Sequence, residues 1–166
     1  NYGLWYDRRR DAHDEAIRTD ANVQPPFLEQ PWARSNEGQA SDGLPKYDLL
    51  KFNDWYFQRL EEFADLCQAK GAVLIHKYYM QHALLEIQPH YMDFTWRPGN
   101  CIQDTGMPEH IPAANAFYDI TNPQRRILHQ AYIRRCLASL GDKPNVIHII
   151  GQEFTGSVEF MVFWLD

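Results

Sequence analysis

A glutamate follows directly on an apolar run near the end of the chain, where residues 145–150 (NVIHII) lead into residues 151–156 (GQEFTG). We expect this carboxyl group to be buried at the end of the strand, where burial would raise its pKa and suit it to general acid/base chemistry. Gly151 and Gly156 allow backbone or ligand to approach closely on either side of Glu153. In the alternative interpretation Glu153 caps the next helix or pairs with an arginine, and its position alone leaves both open.

A charged cluster, Asp7-Arg8-Arg9-Arg10, follows a short apolar run over residues 3–6 (GLWY) near the start of the chain. Arginine binds carboxylates in a bidentate manner, so the cluster would fit an acidic sugar. We therefore take Asp7, Arg8 and Arg10 as candidate substrate-binding residues. In the alternative they form structural salt bridges beneath a long loop.

Histidine and tyrosine side chains follow a second apolar run, over residues 72–76 (AVLIH). His76, Tyr78 and His82 could hydrogen-bond sugar hydroxyl groups or stack on a ring, or they could be hydrogen-bonded structural residues. A metal site built from His82, Glu86 and His90 is conceivable. The spacing lacks a motif such as H-E-x-x-H, however, and we expect no metal.

Two long polar segments contain tryptophans beside charged residues. Trp96 and Arg97 are candidate sugar-binding residues, since Trp96 could serve as a stacking platform, or the ring could simply anchor its loop. Asn100 lies in the same segment as Trp96 and Arg97. The corresponding residues of the earlier segment are Trp32, Arg34 and Asp42.

The elements that position these residues repeat along the chain. Asn53 or Asp54 caps a predicted helix of about 16 residues whose apolar face is formed by Trp55, Leu60, Phe63, Ala64 and Cys67. Gly71 ends that helix, and residues 72–76 read as a strand that is buried on both faces.

The same pattern then recurs. Thr121 or Asn122 caps a second helix, and Pro123 takes its first position. Gly141 ends the helix, residues 145–150 form the next buried strand, and a third helix begins near Ser157. Paired arginines at 125–126 and 134–135 are expected on the solvated face of the second helix. An earlier helix is expected near residues 9–18, and the rest of residues 8–52 is predicted to be loop.

Long connections after strands and short turns before them are typical of a (β/α)8 TIM barrel, whose strand-to-helix loops build the active site. The predicted fold class is therefore α/β, with residues 1–166 forming one partial barrel domain of about three strand–helix units. A complete barrel has about 250 residues, so we expect this chain to require the remainder of a longer one. A doubly wound sheet is the alternative.

Composition narrows the function classes. A net charge of −6 over 166 residues argues against nucleic acid or an anionic membrane as the partner. No apolar run approaches the length of a membrane span, about 20 residues. The three cysteines imply no disulfide framework. The nucleotide-binding and serine-hydrolase motifs G-x-G-x-x-G, P-loop and G-x-S-x-G do not occur, and no cofactor is expected.

Three segments carry a family resemblance: residues 2–11 (YGLWYDRRRD), 42–49 (DGLPKYDL) and 145–156. They resemble a largely uncharacterised group of glycoside-hydrolase-like proteins from polysaccharide-degrading bacteria, especially Bacteroidetes. The likeness extends over nearly the whole chain but only the central part of those longer proteins. It implies a TIM barrel, secretion to the periplasm or cell surface, and a complex plant or algal polysaccharide, pectic for example, as substrate.

A more distant resemblance is to the clan of retaining barrel glycosidases, in which the acid/base glutamate ends the fourth strand. It implies that Glu153 protonates the leaving oxygen and later activates water. Gln152 stands where that clan usually has the asparagine that contacts the sugar 2-hydroxyl. The nucleophilic carboxylate, about 5–5.5 Å away in retaining enzymes, would end a later strand that this chain does not contain.

The leading hypothesis is thus a retaining glycoside hydrolase with Glu153 as general acid/base. A non-catalytic glycan-binding barrel that uses Trp96 is the first alternative. A metal-dependent hydrolase or lyase that uses His76, His82 or His90 is the second.

Overall fold

The computed structural model describes residues 2–3, 30–79, 81–85 and 88–166. The described strands are β1 (Tyr2–Gly3), β2 (Trp32–Arg34), β3 (Tyr47–Phe52), β4 (Leu74–Tyr79) and β5 (Val146–Gly151). The described helices are α1 (Asp54–Ala69), α2 (His82–Leu85), α3 (Gln88–Met92), α4 (Ala114–Phe117), α5 (Pro123–Leu140) and α6 (Val158–Leu165). The helix expected near residues 9–18 lies outside the described part of the chain.

A parallel sheet of three strands, in the order β1–β4–β5, forms the centre of the described structure. Lys77 of β4 lies in register with Gly3 of β1 and with Ile149 of β5. The strands are therefore neighbours in the order in which they occur along the chain. That order is shared by a barrel segment and by half of a doubly wound sheet, so the barrel stays a prediction.

Both long helices begin and end where their capping residues predict. The Asn53 side chain accepts a hydrogen bond from the backbone N–H of Tyr56, and Asn122 accepts one from Arg125. Such side-chain caps satisfy amide groups that the first helical turn leaves without partners. Gly71 follows α1, Gly141 caps α5, and Ser157 caps α6, so these predicted boundaries are confirmed.

The buried faces of the helices differ from the prediction in detail. Tyr56 and Phe57 are buried on α1, whereas Trp55 is 47% exposed. The prediction that Trp55 lies on the apolar face of this helix is therefore wrong. On α5, Arg125 is buried rather than solvated. Its guanidinium donates to the carbonyl oxygens of Thr105 and Asp119 and pairs with the Asp119 carboxylate at 2.8 Å, which compensates the buried charge.

One face of the parallel sheet packs against the described helices, and the other face is not covered by them. Leu74 and Tyr78 lie in the core, and the Tyr132 hydroxyl of α5 donates to the Tyr78 carbonyl oxygen at 3.0 Å. On the opposite face Ile75 is 41% exposed and Ile147 is 52% exposed. The expectation that residues 72–76 form a strand buried on both faces is wrong for the described residues, because the described helices cover one face only.

The segment predicted as the first long loop contains a small antiparallel sheet. Strand β2 pairs with β3, and the register shifts between Trp32 and Ala33. The second long segment contains the short helices α2, α3 and α4. Its aromatic side chains enter the central core, among them Tyr91, Phe94, Trp96 and Phe117.

Candidate functional site at the carboxyl edge of the sheet

Strands β4 and β5 end side by side, because Tyr79 of β4 lies in register with Gly151 of β5. Gly151 is needed there: a Cβ atom at this position would approach the Tyr79 carbonyl oxygen to 2.9 Å. The predicted close approach of backbone at Gly151 is thus confirmed. Gln152 and Glu153 follow at once, which sets both side chains at the carboxyl edge of the parallel sheet.

Glu153 occupies a turn with unusual backbone geometry. Its φ angle is +55°, in the left-handed region that side-chain-bearing residues seldom adopt. This conformation costs about 1–2 kcal/mol relative to an ordinary one. The side chain is exposed, so the burial that we expected for it is wrong within the described structure. An exposed carboxylate at a strand end remains accessible to a ligand.

Gln152 is exposed and is bound to β4 through Lys77. The Lys77 ammonium donates a hydrogen bond to the Gln152 side-chain oxygen. Because an ammonium group only donates, this contact orients the amide and leaves its NH₂ group to donate elsewhere. Gln152 was predicted to contact a sugar hydroxyl, and its fixed orientation provides a donor beside Glu153.

A second contact joins the two strand ends on the other side of Glu153. The Gln81 amide nitrogen donates to the Thr155 hydroxyl at 2.6 Å, and the Tyr118 hydroxyl donates to the Gln81 oxygen at 2.6 Å. Gln81 and Tyr118 are both buried. Burial raises the pKa of the Tyr118 phenol, which therefore stays protonated as a donor.

His76 and Tyr78 lie on the helix-facing side of β4 and are fully buried. Burial, and then the neighbouring His148, lower the pKa of His76 to about 3, so its ring is neutral. Tyr78 lies 3.0 Å, hydroxyl oxygen to Nδ1, from His148. Burial takes both residues out of reach of a substrate, so the binding role predicted for them is not supported.

Trp96 is the anchor of its loop rather than a stacking platform. Its ring is 0% exposed and lies 5.0 Å from the Phe117 ring and 4.6 Å from the His129 ring, between centroids. Arg97 pairs with the Glu109 carboxylate at 2.7 Å and donates to the Glu109 carbonyl oxygen. Both residues therefore stabilise the second long segment.

The remaining loop candidates are also structural. Asn100 is buried and donates to the carbonyl oxygens of Met92 and Phe94 at 2.7 and 2.8 Å. The corresponding residues of the first long segment pack in the same way. Trp32 is buried against Trp96, and Arg34 pairs with Asp42 while lying over the Tyr47 ring.

Several predicted residues lie outside the described part of the chain, namely Asp7, Arg8, Arg10 and Glu86. His82 begins α2 and His90 belongs to α3, and the interpretations of their side chains also lie outside it. Among the described residues no group of three His, Cys, Asp or Glu side chains could hold a metal ion. No described helix is both long enough and apolar enough to cross a membrane.

The sequence did not single out the residues that support Glu153. Lys77 and Gln81 stand in the run that follows the second strand, yet nothing local indicates that they reach residues beyond β5. The sequence predicts the two strands, and it is their pairing as β4 and β5 that brings the two strand ends together. Tyr118 carries no such signal, because its contact with Gln81 spans 37 residues of chain.

The edge thus combines one exposed carboxylate, one oriented amide donor and one ammonium group. Gln152 can donate a hydrogen bond to one oxygen of a ligand while Glu153 exchanges a proton with the ligand.

No curated protein and no solved structure matches the chain. A family model does match it, over residues 1–166, and is described as "Domain of unknown function (DUF6298)". The chain belongs to the DUF6298 family.

Proposed function

We propose that this chain is the acid/base-bearing part of a glycoside hydrolase that acts on a complex plant or algal polysaccharide. Glu153 protonates the leaving glycosidic oxygen, and Gln152 donates a hydrogen bond to a sugar hydroxyl. The proposal places the chain within a (β/α)8 barrel whose later strands supply the second carboxylate. It also carries the expectation of secretion to the periplasm or cell surface.

One observation carries the proposal: an exposed carboxylate sits in a left-handed turn directly after a parallel strand. Strained backbone of this kind concentrates at functional sites, where the surrounding structure maintains it. The carboxyl edge of a parallel sheet is also where ligands of α/β folds bind.

The open sheet face supports the barrel. Ile75 and Ile147 form an apolar surface that the described helices do not cover. The inner face of a barrel has this character, since branched side chains from its strands fill the interior. Burial removes Trp96, on which the glycan-binding alternative depended, and His76, one of the three histidines named for the metal alternative.

The test is hydrolysis of a panel of plant and algal polysaccharides by the full-length protein and by Glu153→Gln. Loss of the acid/base should lower kcat by about 10²–10⁴-fold. Glu159→Gln is the matched control, since Glu159 is an exposed glutamate in the first turn of α6.

A second substrate separates acid catalysis from other roles. An aryl glycoside with a good leaving group needs no protonation of the leaving oxygen. On this substrate, the rate of glycosidic-bond cleavage should therefore fall less in Glu153→Gln than it does on the polysaccharide. Full activity of Glu153→Gln on the polysaccharide that the natural protein cleaves would overturn this role.

A further inference from the structure

Lys77 of β4 and Gln81, two residues after β4, reach across to the residues on either side of Glu153. Lys77 binds Gln152, the residue before Glu153, and Gln81 binds Thr155, two residues after it. We propose that Lys77 and Gln81 are positioning residues that hold Glu153 in its left-handed turn. The catalytic significance of this inference rests on the proposed function, whereas the holding of the turn is measurable without it.

The Gln81 contact is built to be rigid. Gln81 is buried, and both ends of its amide are bonded, one to the Tyr118 hydroxyl and one to the Thr155 hydroxyl. An amide with both ends engaged in a protein interior cannot rotate without leaving polar groups unsatisfied. Tyr118 thereby fixes Gln81, and Gln81 fixes Thr155.

The Lys77 contact acts from within the sheet. Lys77 is the central member of a row that runs from Gly3 through Lys77 to Ile149, so strand pairing on both sides fixes its backbone. Its side chain is half-buried and meets Gln152 at the start of the turn. Lys77 belongs to β4 and Gln81 follows that strand by two residues, so the turn after β5 is bound to the neighbouring strand and to the turn after it.

The left-handed conformation of Glu153 explains why two contacts are needed. A side-chain-bearing residue at φ +55° relaxes to a common conformation unless its neighbours prevent it. Such a relaxation would displace Gln152 or Thr155 and break one of the two hydrogen bonds. The bonds therefore oppose movement of the Glu153 carboxylate from the edge of the sheet.

Thr155 offers the cleanest test, because it is exposed and valine matches its shape. Thr155→Val removes the hydroxyl that Gln81 binds, and Thr155→Ser keeps a hydroxyl. Thr121→Val is the matched control: Thr121 is an exposed threonine whose hydroxyl donates to Asp119 rather than to a residue of the turn. Lys77→Met and Lys77→Arg test the other contact in the same way.

The primary readout is hydrogen–deuterium exchange at the amides of residues 152–156 in the full-length protein. Loss of one hydrogen bond should speed exchange there by about five- to tenfold in Thr155→Val and Lys77→Met. Thr155→Ser, Lys77→Arg and Thr121→Val should stay near the natural rate. Unchanged exchange in both Thr155→Val and Lys77→Met would overturn the inference.

The second readout is kinetic, on the polysaccharide that the full-length protein cleaves. Displacement of the acid/base should lower kcat by about 10- to 100-fold with little change in KM, and Thr155→Ser should restore it. If exchange rises while Glu153→Gln stays fully active, the proposed function fails and the holding of the turn stands. If exchange rises and kcat is unchanged while Glu153→Gln is inactive, the positioning role fails alone.

Discussion

The Tyr79 hydroxyl donates a hydrogen bond to Nδ1 of His129 across 2.8 Å in the buried core. The direction follows from the other ring nitrogen: Nε2 of His129 lies 2.8 Å from the Phe117 carbonyl oxygen, which only accepts, so Nε2 carries the proton. This pair joins the end of β4 to α5 and to the second long segment. It fixes the end of β4, which lies between Lys77 and Gln81 in the sequence.

We expect Tyr79→Phe to lower the free energy of unfolding by about 1–3 kcal/mol, because Nδ1 of His129 would lose its partner in the core. Urea denaturation followed by circular dichroism measures this change. A loss below about 0.5 kcal/mol, typical of surface substitutions, would show that the hydrogen bond contributes little.

Stability should fall as the pH is lowered from neutral. Burial lowers the pKa of His129 to about 3, and Arg125 adds to this effect, while the Phe117 hydrogen bond opposes it. Burial and His148 lower the pKa of His76 to about 3 as well. Both rings are neutral in the folded protein, whereas an unfolded histidine takes up a proton below about pH 6.5.

The unfolded state therefore binds more protons than the folded state between about pH 6.5 and pH 3. Each histidine removes about 1.4 kcal/mol of stability per pH unit in that window, and its contribution is fully present above about pH 6.5. Urea denaturation at pH 7.5, 6.0 and 5.0 should show the decrease, and His129→Gln should reduce its slope. A flat profile would contradict the assignment.

Trp96→Ala should destabilise the protein by about 3–5 kcal/mol, because its ring is fully buried and truncation leaves a cavity. Thermal denaturation measures the loss, and Trp96→Phe, which keeps most of the volume, should lose less. A Trp96→Ala variant of natural stability that no longer binds oligosaccharides would restore the stacking role.

Substitution of Glu153 should reveal the cost of its backbone conformation. Glu153→Gly and Glu153→Ala both remove the carboxylate, but only alanine pays for the left-handed φ angle of 55°. Glu153→Gly should therefore be more stable than Glu153→Ala by about 1–2 kcal/mol. Equal stabilities in urea denaturation would show that the turn carries no strain.

The sequence predicts those parts of the fold that depend on local signals. The helix α5 is an example: Asn122, Pro123 and Gly141 specify both of its ends. The β2–β3 pair was missed because β2 has three residues and its register is irregular, so alternation is too short to recognise. Helical spacing also misplaced Trp55, since tertiary packing decided which face of α1 turns inward.

The site was predictable to the extent that it lies next to a strand. Glu153 was singled out because an apolar run precedes it, whereas Gln152 was singled out through the resemblance to barrel glycosidases. The sequence alone does not decide the role of Trp96. A loop tryptophan can stack on a ligand or pack against a core residue such as Phe117, and only the folded structure shows which partner the ring contacts. The contacts of Gln81 depend on pairing between strands that are far apart in sequence.

The depth to which the second long segment enters the core limits how the protein can be altered. Trp96 packs against His129 of α5, and Phe117 packs against both His129 and Tyr79 of β4. A strand–helix unit cut out without residues 88–118 would lose the part of its interior that Tyr91, Phe94, Trp96 and Phe117 form, so we expect that it cannot be transplanted as a module.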